Sequence, residues 1–348
     1  MPMDIYSTGA IRGVVRSIST PNPALLKYFF RNVIQSTEEE ILFDVEIKRR
    51  RVSPFVAPHI AGKLVASAGF RTERFKPACV KDKRAINPTR PLARAMGEQI
   101  GGAPAMTPAQ REAAILGYEL TDQVEMNWRR LELMAADALI DGIVTVTGEG
   151  YPSVAVNFGR PNGHSVALTG TDEWGDAGIS PVANLLTWMT TFLQNSGLPC
   201  TDVFFTADAW DLFKADPAFE KAVDTTLRGT VASSPWLVTP MEGAQLVGTL
   251  NNTTRLWLYA NWYVDPADDT EKAVLPAYSV LLGNDSVDGA QAQCFGAIPD
   301  TNLGYPAEMF AARSWTENDP PQRILLGQSC PLTVLSRPAA TFYAKVKA

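Results

Sequence analysis

The chain has 348 residues, 46% hydrophobic and 20% charged, a balance that fits a folded protein of about two domains and argues against a disordered or fibrous one. No apolar run approaches the roughly 20 residues that a bilayer-spanning helix needs, and the opening MPMDIYSTGAIRG lacks the apolar centre of a secretory signal, so a cytosolic birthplace and no membrane partner are expected. Net charge is −6 but uneven: residues 1–100 carry +8 and residues 101–348 carry −14, with 13 basic against 3 acidic residues in 46–94.

Residues 1–36 read as an arm. Pro21 and Pro23 break regularity, and a short amphipathic piece with Leu25, Leu26, Tyr28, Phe29 and Phe30 follows, suited to docking on something. Ile41, Phe43, Val45 and Ile47 then alternate with Leu42, Asp44, Glu46 and Lys48, the period of a half-buried strand. From Arg51 to about Thr107 the chain is rich in proline and glycine and holds only short strand-like pieces, KLVASAGF and RFKPACVK, which can pair as a hairpin. An irregular insert of that length is uncommon in a compact domain unless it is functional or disordered. Val52, Phe55, Val56, Ile60, Leu64, Val65, Phe70 and Phe75 argue against disorder. The expectation is an extended loop that gains its order by packing on a neighbouring subunit, its basic excess drawn to the acidic remainder of another copy.

Thr107-Pro108-Ala109-Gln110 is a capping box with proline at the first helical position. Asp141-Gly142 supplies the stop, so a helix of about 50 Å is predicted over 108–140. Leu116, Leu120, Val124, Trp128, Leu131, Ala135 and Leu139 form one stripe, and Glu112, Glu119, Asp122, Glu125, Arg129, Arg130 and Asp137 the opposite face: a spine lying across a sheet. IVTVTGEGYPSVAVNFG reads as strand, glycine turn and strand. A helix opened by Ser180-Pro181 and ended by Gly197 follows, lined by Val182, Leu185, Leu186, Met189, Phe192 and Leu193. VFFTADAWDLFKADP gives a buried strand and a helix capped by Thr206; residues 254–264 read as one strand, 274–284 hold another, and RILLGQSCPLTVLSRP returns to strand. The class is α+β, with a mixed domain inserted between the spine and a C-terminal strand.

Chemistry-bearing motifs are sparse. No P-loop, GxGxxG, HExxH or GxSxG occurs, and His59 and His164 stand 105 residues apart without ligand spacing, so neither a catalytic site nor a cofactor or metal is expected. Asp268-Asp269 and Asp172-Glu173 read as solvated turns. Cys79, Cys200, Cys294 and Cys330 lack CxxC spacing and read as reduced, mostly buried thiols. Trp188 and Trp210 fit core positions; Trp128 and Trp315 admit an interface role, but core is preferred for them too. The run Lys48-Arg49-Arg50-Arg51 admits nucleic-acid contact, a solvated face, or intersubunit ion pairs. The last is preferred, with Arg71, Arg74 and Lys76 joining it as candidate intersubunit contacts, because the pI is about 5.2 and no aromatics interleave the run.

The order of these parts resembles the lambda-type major capsid protein family of tailed phages, with its HK97-like capsid fold. VSPFVAPHIAGKLVASAGFRTERFKPACVKDKRAINP (52–88) is similar to the family's extended loop. LMAADALIDGIVTVTGEG (133–150) is similar to the end of its spine helix and the next strand, VNFGR (156–160) and GTDEW (170–174) to later landmarks, and RSWTENDPPQRILLGQSCPLTVLSRP (313–338) to its closing segment. The resemblance implies an N-terminal arm (1–40), an extended loop with flanking strands (41–106), a peripheral domain (107–165), an axial domain (166–308) and a C-terminal return (309–348). It further implies hexamers and pentamers of the chain itself, a scaffolding protein, a portal, a decoration protein in many members, and packaged double-stranded DNA met only through non-specific contact. A soluble α+β enzyme with an unrecognised site and a nucleic-acid-binding protein are the competing readings.

Overall fold

The structure, a computed structural model, describes residues 8–18, 23–38, 40–47, 52–64, 69–93, 106–148, 150–219, 223–224, 242–251, 253–285, 291–319 and 321–348. The basic run Lys48–Arg51 and the residues around Val65 lie outside them. In chain order the elements are α1 (Thr8–Ser17), α2 (Ala24–Phe29), β1 (Asn32–Gln35), β2 (Ile41–Ile47), β3 (Gly69–Phe75), β4 (Val80–Ile86), α3 (Pro108–Asp141), β5 (Ile143–Gly148) and β6 (Tyr151–Asn157). There follow β7 (Ser165–Ala167), α4 (Pro181–Ser196), β8 (Asp202–Phe205), α5 (Ala207–Lys214), β9 (Val223–Asp224), β10 (Gly243–Leu250), β11 (Thr254–Ala260), β12 (Trp262–Asp265) and β13 (Thr270–Ala273). The chain closes with β14 (Ser279–Gly283), β15 (Gln291–Phe295), β16 (Ala311–Asn318), β17 (Pro321–Ser329), β18 (Pro331–Leu335) and β19 (Thr341–Lys345).

The spine forms where the local signals put it. Thr107 accepts from the Gln110 amide while the Gln110 side chain accepts from the Thr107 amide, and Gly142 ends the helix in the left-handed region at φ 67°. At 34 residues α3 is about 51 Å long. Leu116, Leu120, Val124, Leu131, Ala135 and Leu139 are buried, and Trp128 is half-buried between two clusters of the core. The expected polar face is only partly polar surface, because Glu119 is buried; Glu132, which the stripe reading left unassigned, is buried as well.

A seven-stranded mixed sheet, ordered β7-β19-β14-β8-β11-β10-β9, carries a second core. There Trp174, Trp188, Trp210 and Phe213 pack under α4 and α5. The last strand, β19, runs antiparallel to β14 and parallel to β7, so the end of the chain lies inside this sheet. Two further sheets lie against α3: β1-β15-β18 in the cluster that holds Leu131 and Leu139, and β16-β17-β4 in the cluster that holds Leu120 and Val124.

Several sequence expectations are corrected. KLVASAGF and RFKPACVK do not pair with each other: β3 pairs with β2, and β4 joins β17 over Val80↔Ser329 to Ile86↔Arg323. Of residues 51–107, the part from 69 to 92 therefore packs on its own chain, with Phe75 and Ile86 buried. Residues 254–264 form two strands, β11 and the start of the β12–β13 hairpin. On α4 the buried face is Val182, Leu185, Trp188 and Phe192, while Leu186 and Leu193 are exposed. Thr206 stands at the start of α5, but its hydroxyl bonds Ser279 rather than capping the helix. The cysteines are not four thiols: Cys79 and Cys330 are joined by a disulfide, and Cys200 and Cys294 are free and buried.

The arm helix α2 docks on its own molecule. Leu25, Leu26 and Phe30 are fully buried, and the Phe29 ring lies so close over Gly283 of β14 that a Cβ there would collide with Phe29 Cε1. Glu132 of α3 accepts from the Leu25 amide at 2.9 Å and the Leu26 amide at 3.1 Å, so a spine carboxylate satisfies the first turn of α2.

Candidate assembly surfaces

Segment 52–64 is the most conspicuous surface. Pro54, Pro58 and Gly62 deny it a strand, and among the described residues its backbone makes a turn from Ile60 N to Ala57 O at 3.0 Å. Phe55 is 104% and Leu64 99% exposed, and Val52 and Ile60 are exposed too. An apolar row of this kind without cover marks an interaction site. Just beyond it on β3, Phe70 is also exposed.

The candidate contact residues at the loop's root divide. Arg71 is spent largely on its own chain: its Nη2 lies 2.7 Å from Glu73 and donates to the Asn157 carbonyl at 3.2 Å. Arg74 stays exposed, 4.0 Å from Glu40. Lys76 is exposed, and its backbone carbonyl accepts from the Tyr151 hydroxyl at 2.5 Å.

Further along, the loop's return is latched to the spine. Arg84 reaches Glu119 at 2.7 Å, Asp122 at 2.7 Å and Asp82 at 3.1 Å, and Arg90 reaches Glu119 at 2.6 Å. These partners hold the Glu119 carboxyl below its ordinary value against the opposing effect of burial. Sequence reasoning put Glu119 on a solvated face and missed this latch; the only signal was the set of arginines at 84 and 90 in the preceding loop.

Beside α3 runs a groove of about 820 Å3 bordered by Met126, Arg130, Leu133, Trp262, Val264 and Phe310, with Met126, Trp262 and Val264 exposed along it. A second charged cluster closes the end of the seven-stranded sheet, where Arg255 grips the buried Asp202 through two bonds of 2.8 Å and also contacts Asp285. Strand β1 leaves one edge of its sheet open, with Val33 and Ile34 exposed.

None of these surfaces carries a reactive constellation. His164 is buried, its Nδ1 2.8 Å from the Thr341 carbonyl and its Nε2 2.9 Å from Asn195, and burial lowers its pKa, which keeps the ring neutral. His59 lies on the exposed segment. Burial pushes the Cys200 and Cys294 thiols up to about 12, so neither is a nucleophile. Asp268 sits in the β12–β13 turn, paired with Lys272 at 2.8 Å, and Asp172 ends a short turn at 170–172. Among the described residues no group of three or more His, Cys, Asp or Glu could hold a metal ion.

What remains is a body with open, adhesive surfaces, and the comparison with known proteins decides its kind: the model of the family described as phage major capsid protein E matches residues 7–346. The chain belongs to that family. Phage major capsid protein E is a family of structural proteins, so a shell component rather than an enzyme is the established class. The chain is 25% identical over 351 residues to the major capsid protein of Enterobacteria phage phi80, covering 99% of this chain and 100% of that one. It is also 25% identical over 340 residues to that of Escherichia phage lambda, covering 97% of each. A solved putative capsid protein from a prophage of E. coli CFT073 superposes with a TM-score of 0.75 at 20% identity, over 97% of this chain and 98% of that one. The fold of this phage major capsid protein E member is thus the α+β, HK97-like capsid fold.

Proposed function

We propose that this chain is the subunit from which a tailed-phage head is built, closing as hexamers and pentamers into an icosahedral shell around double-stranded DNA. The observation that supports this most is segment 52–64: an apolar row with no cover on its own chain, in a molecule whose family is capsid protein over nearly its whole length. Such a segment and the surface that receives it form a head-to-tail contact, which closes into rings when the rotation allows.

In this reading residues 1–40 are the arm, 41–106 the extended loop with its strands, 107–165 the peripheral domain, 166–308 the axial domain and 309–348 the return, whose β19 ties back into the axial sheet. Lys48, Arg49, Arg50, Arg51, Arg71, Arg74 and Lys76 form the basic root that meets acidic surface on the next copy; Arg74 is the freest of the described three. Scaffolding protein and portal guide assembly in the host cytoplasm, and DNA is touched without sequence preference.

The test is assembly. Co-expressed with its scaffolding protein, the chain gives closed particles in negative stain. The same chain with 52–64 replaced by a short Gly-Ser linker stays folded by circular dichroism but sediments without particles, and Arg49→Glu with Arg50→Glu lowers particle yield at low salt. Normal yield from the linker variant overturns the role of the loop; a monodisperse wild-type monomer with scaffold at high concentration overturns the shell.

A further inference from the structure

The connector between the β2–β3 hairpin and the β4–β17 ladder is pinned at three places within four residues. As the chain leaves β3, the Lys76 carbonyl takes the Tyr151 hydroxyl at 2.5 Å. Pro77 then lies against Gly296, where a Cβ would meet Pro77 Cγ at 2.6 Å. Next, Cys79 is bonded to Cys330. The β4–β17 ladder has Val80 opposite Ser329, so the disulfide is the next rung of that ladder, made covalent across a sequence separation of 251. On one side of this connector stands β3, which leads to segment 52–64; on the other stands β4, held to the spine by Arg84. Residues 76–79 are thus the joint, or hinge, between the β2–β3 hairpin, whose Ile41, Phe43, Val45 and Phe75 are buried in one cluster with Leu131 and Leu139 of the spine, and the β4–β17 ladder.

A chain made in a reducing cytosol does not keep such a bond, whereas an extracellular particle does. We propose that Cys79–Cys330 is an oxidative lock on the root of the loop, open as two thiols while subunits are made and assembled, and closed when the shell meets an oxidising medium. Its timing rests on the shell reading; the bond and its effect on the hinge do not. Cys330 is fully buried among Ile298, Leu303 and Ala311, while Cys79 is half-buried and reachable. Closure therefore starts at Cys79, whose thiolate attacks a low-molecular-weight disulfide and releases one small thiol. The Cys330 sulfur, after giving up its proton, then attacks the Cys79 sulfur of the mixed disulfide and releases the second. Two protein thiols are oxidised and one small disulfide is reduced to two thiols. Cys200 and Cys294 take no part, being free and buried away from solvent.

The unassembled full-length chain, purified with reductant and then treated with oxidised glutathione, is denatured, alkylated and weighed. Four alkylated cysteines before treatment and two afterwards, with the peptides of Cys79 and Cys330 linked, are expected. Amide hydrogen exchange across 69–79 slows by about tenfold or more on closure, and the unfolding temperature rises by about 5 °C or more. The Cys79→Ser chain shows the fast exchange and the lower temperature with or without reductant. Four alkylated cysteines after glutathione, or a linked pair with unchanged exchange at the hinge, overturns the lock. Both readouts are taken without particles, so failure of shell assembly leaves them intact.

Discussion

Glu132 puts a carboxylate in the core at 3% exposure. One oxygen accepts from the Leu25 amide and the Tyr259 hydroxyl, each at 2.9 Å, and the other from the Leu26 amide. Burial outweighs these donors and pushes its pKa up to about 7 from an ordinary 4.5. A carboxyl whose folded-state pKa lies above its unfolded value binds its proton more tightly when folded. Its contribution to stability is full below pH 4.5 and is lost as pH rises through about 7. Asp137, raised to about 6 by burial and then by Asp141, acts in the same direction. Denaturant unfolding of the subunit is therefore expected to lose about 1–3 kcal/mol between pH 5 and 7.5 through Glu132. Glu132→Gln flattens that part of the profile, so the difference between the two chains isolates this residue. The amide also costs about 1 kcal/mol at low pH, because its NH2 faces an α2 donor.

Helix α2 is six residues long and cannot stand alone in water. It persists because the spine caps its first turn and because Gly283 lets the Phe29 ring lie directly on β14. Gly283→Ala drives a methyl into that ring and is expected to destabilise the subunit by about 1–3 kcal/mol in denaturant unfolding, with α2 losing exchange protection first. The spine depends less on partners at its start, where the capping box is exposed; Thr107→Ala costs about 1 kcal/mol by the same measurement. In its middle the latch matters more: Arg84→Ala leaves Glu119 with Arg90 and loosens the loop's return on α3, where Gln123 still donates to the Asp82 carbonyl. A loss of about 1–3 kcal/mol is expected, with faster exchange over β4.

At the scale of the molecule, stability and assembly separate along the chain. Residues 52–64 are all exposed, so replacing them by a linker is expected to shift the subunit's unfolding free energy by no more than about 0.5 kcal/mol while abolishing particles. A change of several kcal/mol on calorimetry would mean that the segment serves its own fold. The loop's return is the reverse case: β4 is an internal strand partner of β17, so removing residues 80–86 damages the body itself. Among the described residues, 52–64 is exposed, while 76–90 is fastened to the rest of the chain by a ladder, an ion-pair latch and a disulfide.

Local chemistry was enough to place the spine from Thr107 to Gly142, the β5–β6 hairpin, the ends of α4, and the apolar row of the exposed segment. Caps, turns and periodicity act over a few residues, and a sequence displays them directly. Periodicity assumes burial on one side, so it misread Glu119 and assigned Glu132 to neither face; both lie on a spine contacted also by the loop's root and by α2. Spacing was equally silent on β4 joining β17, on Cys79 meeting Cys330, and on β19 entering the seven-stranded sheet. Those pairings join positions far apart along the chain. What selects them is the burial of whole faces against one another, a property of the folded body that no short stretch of residues contains.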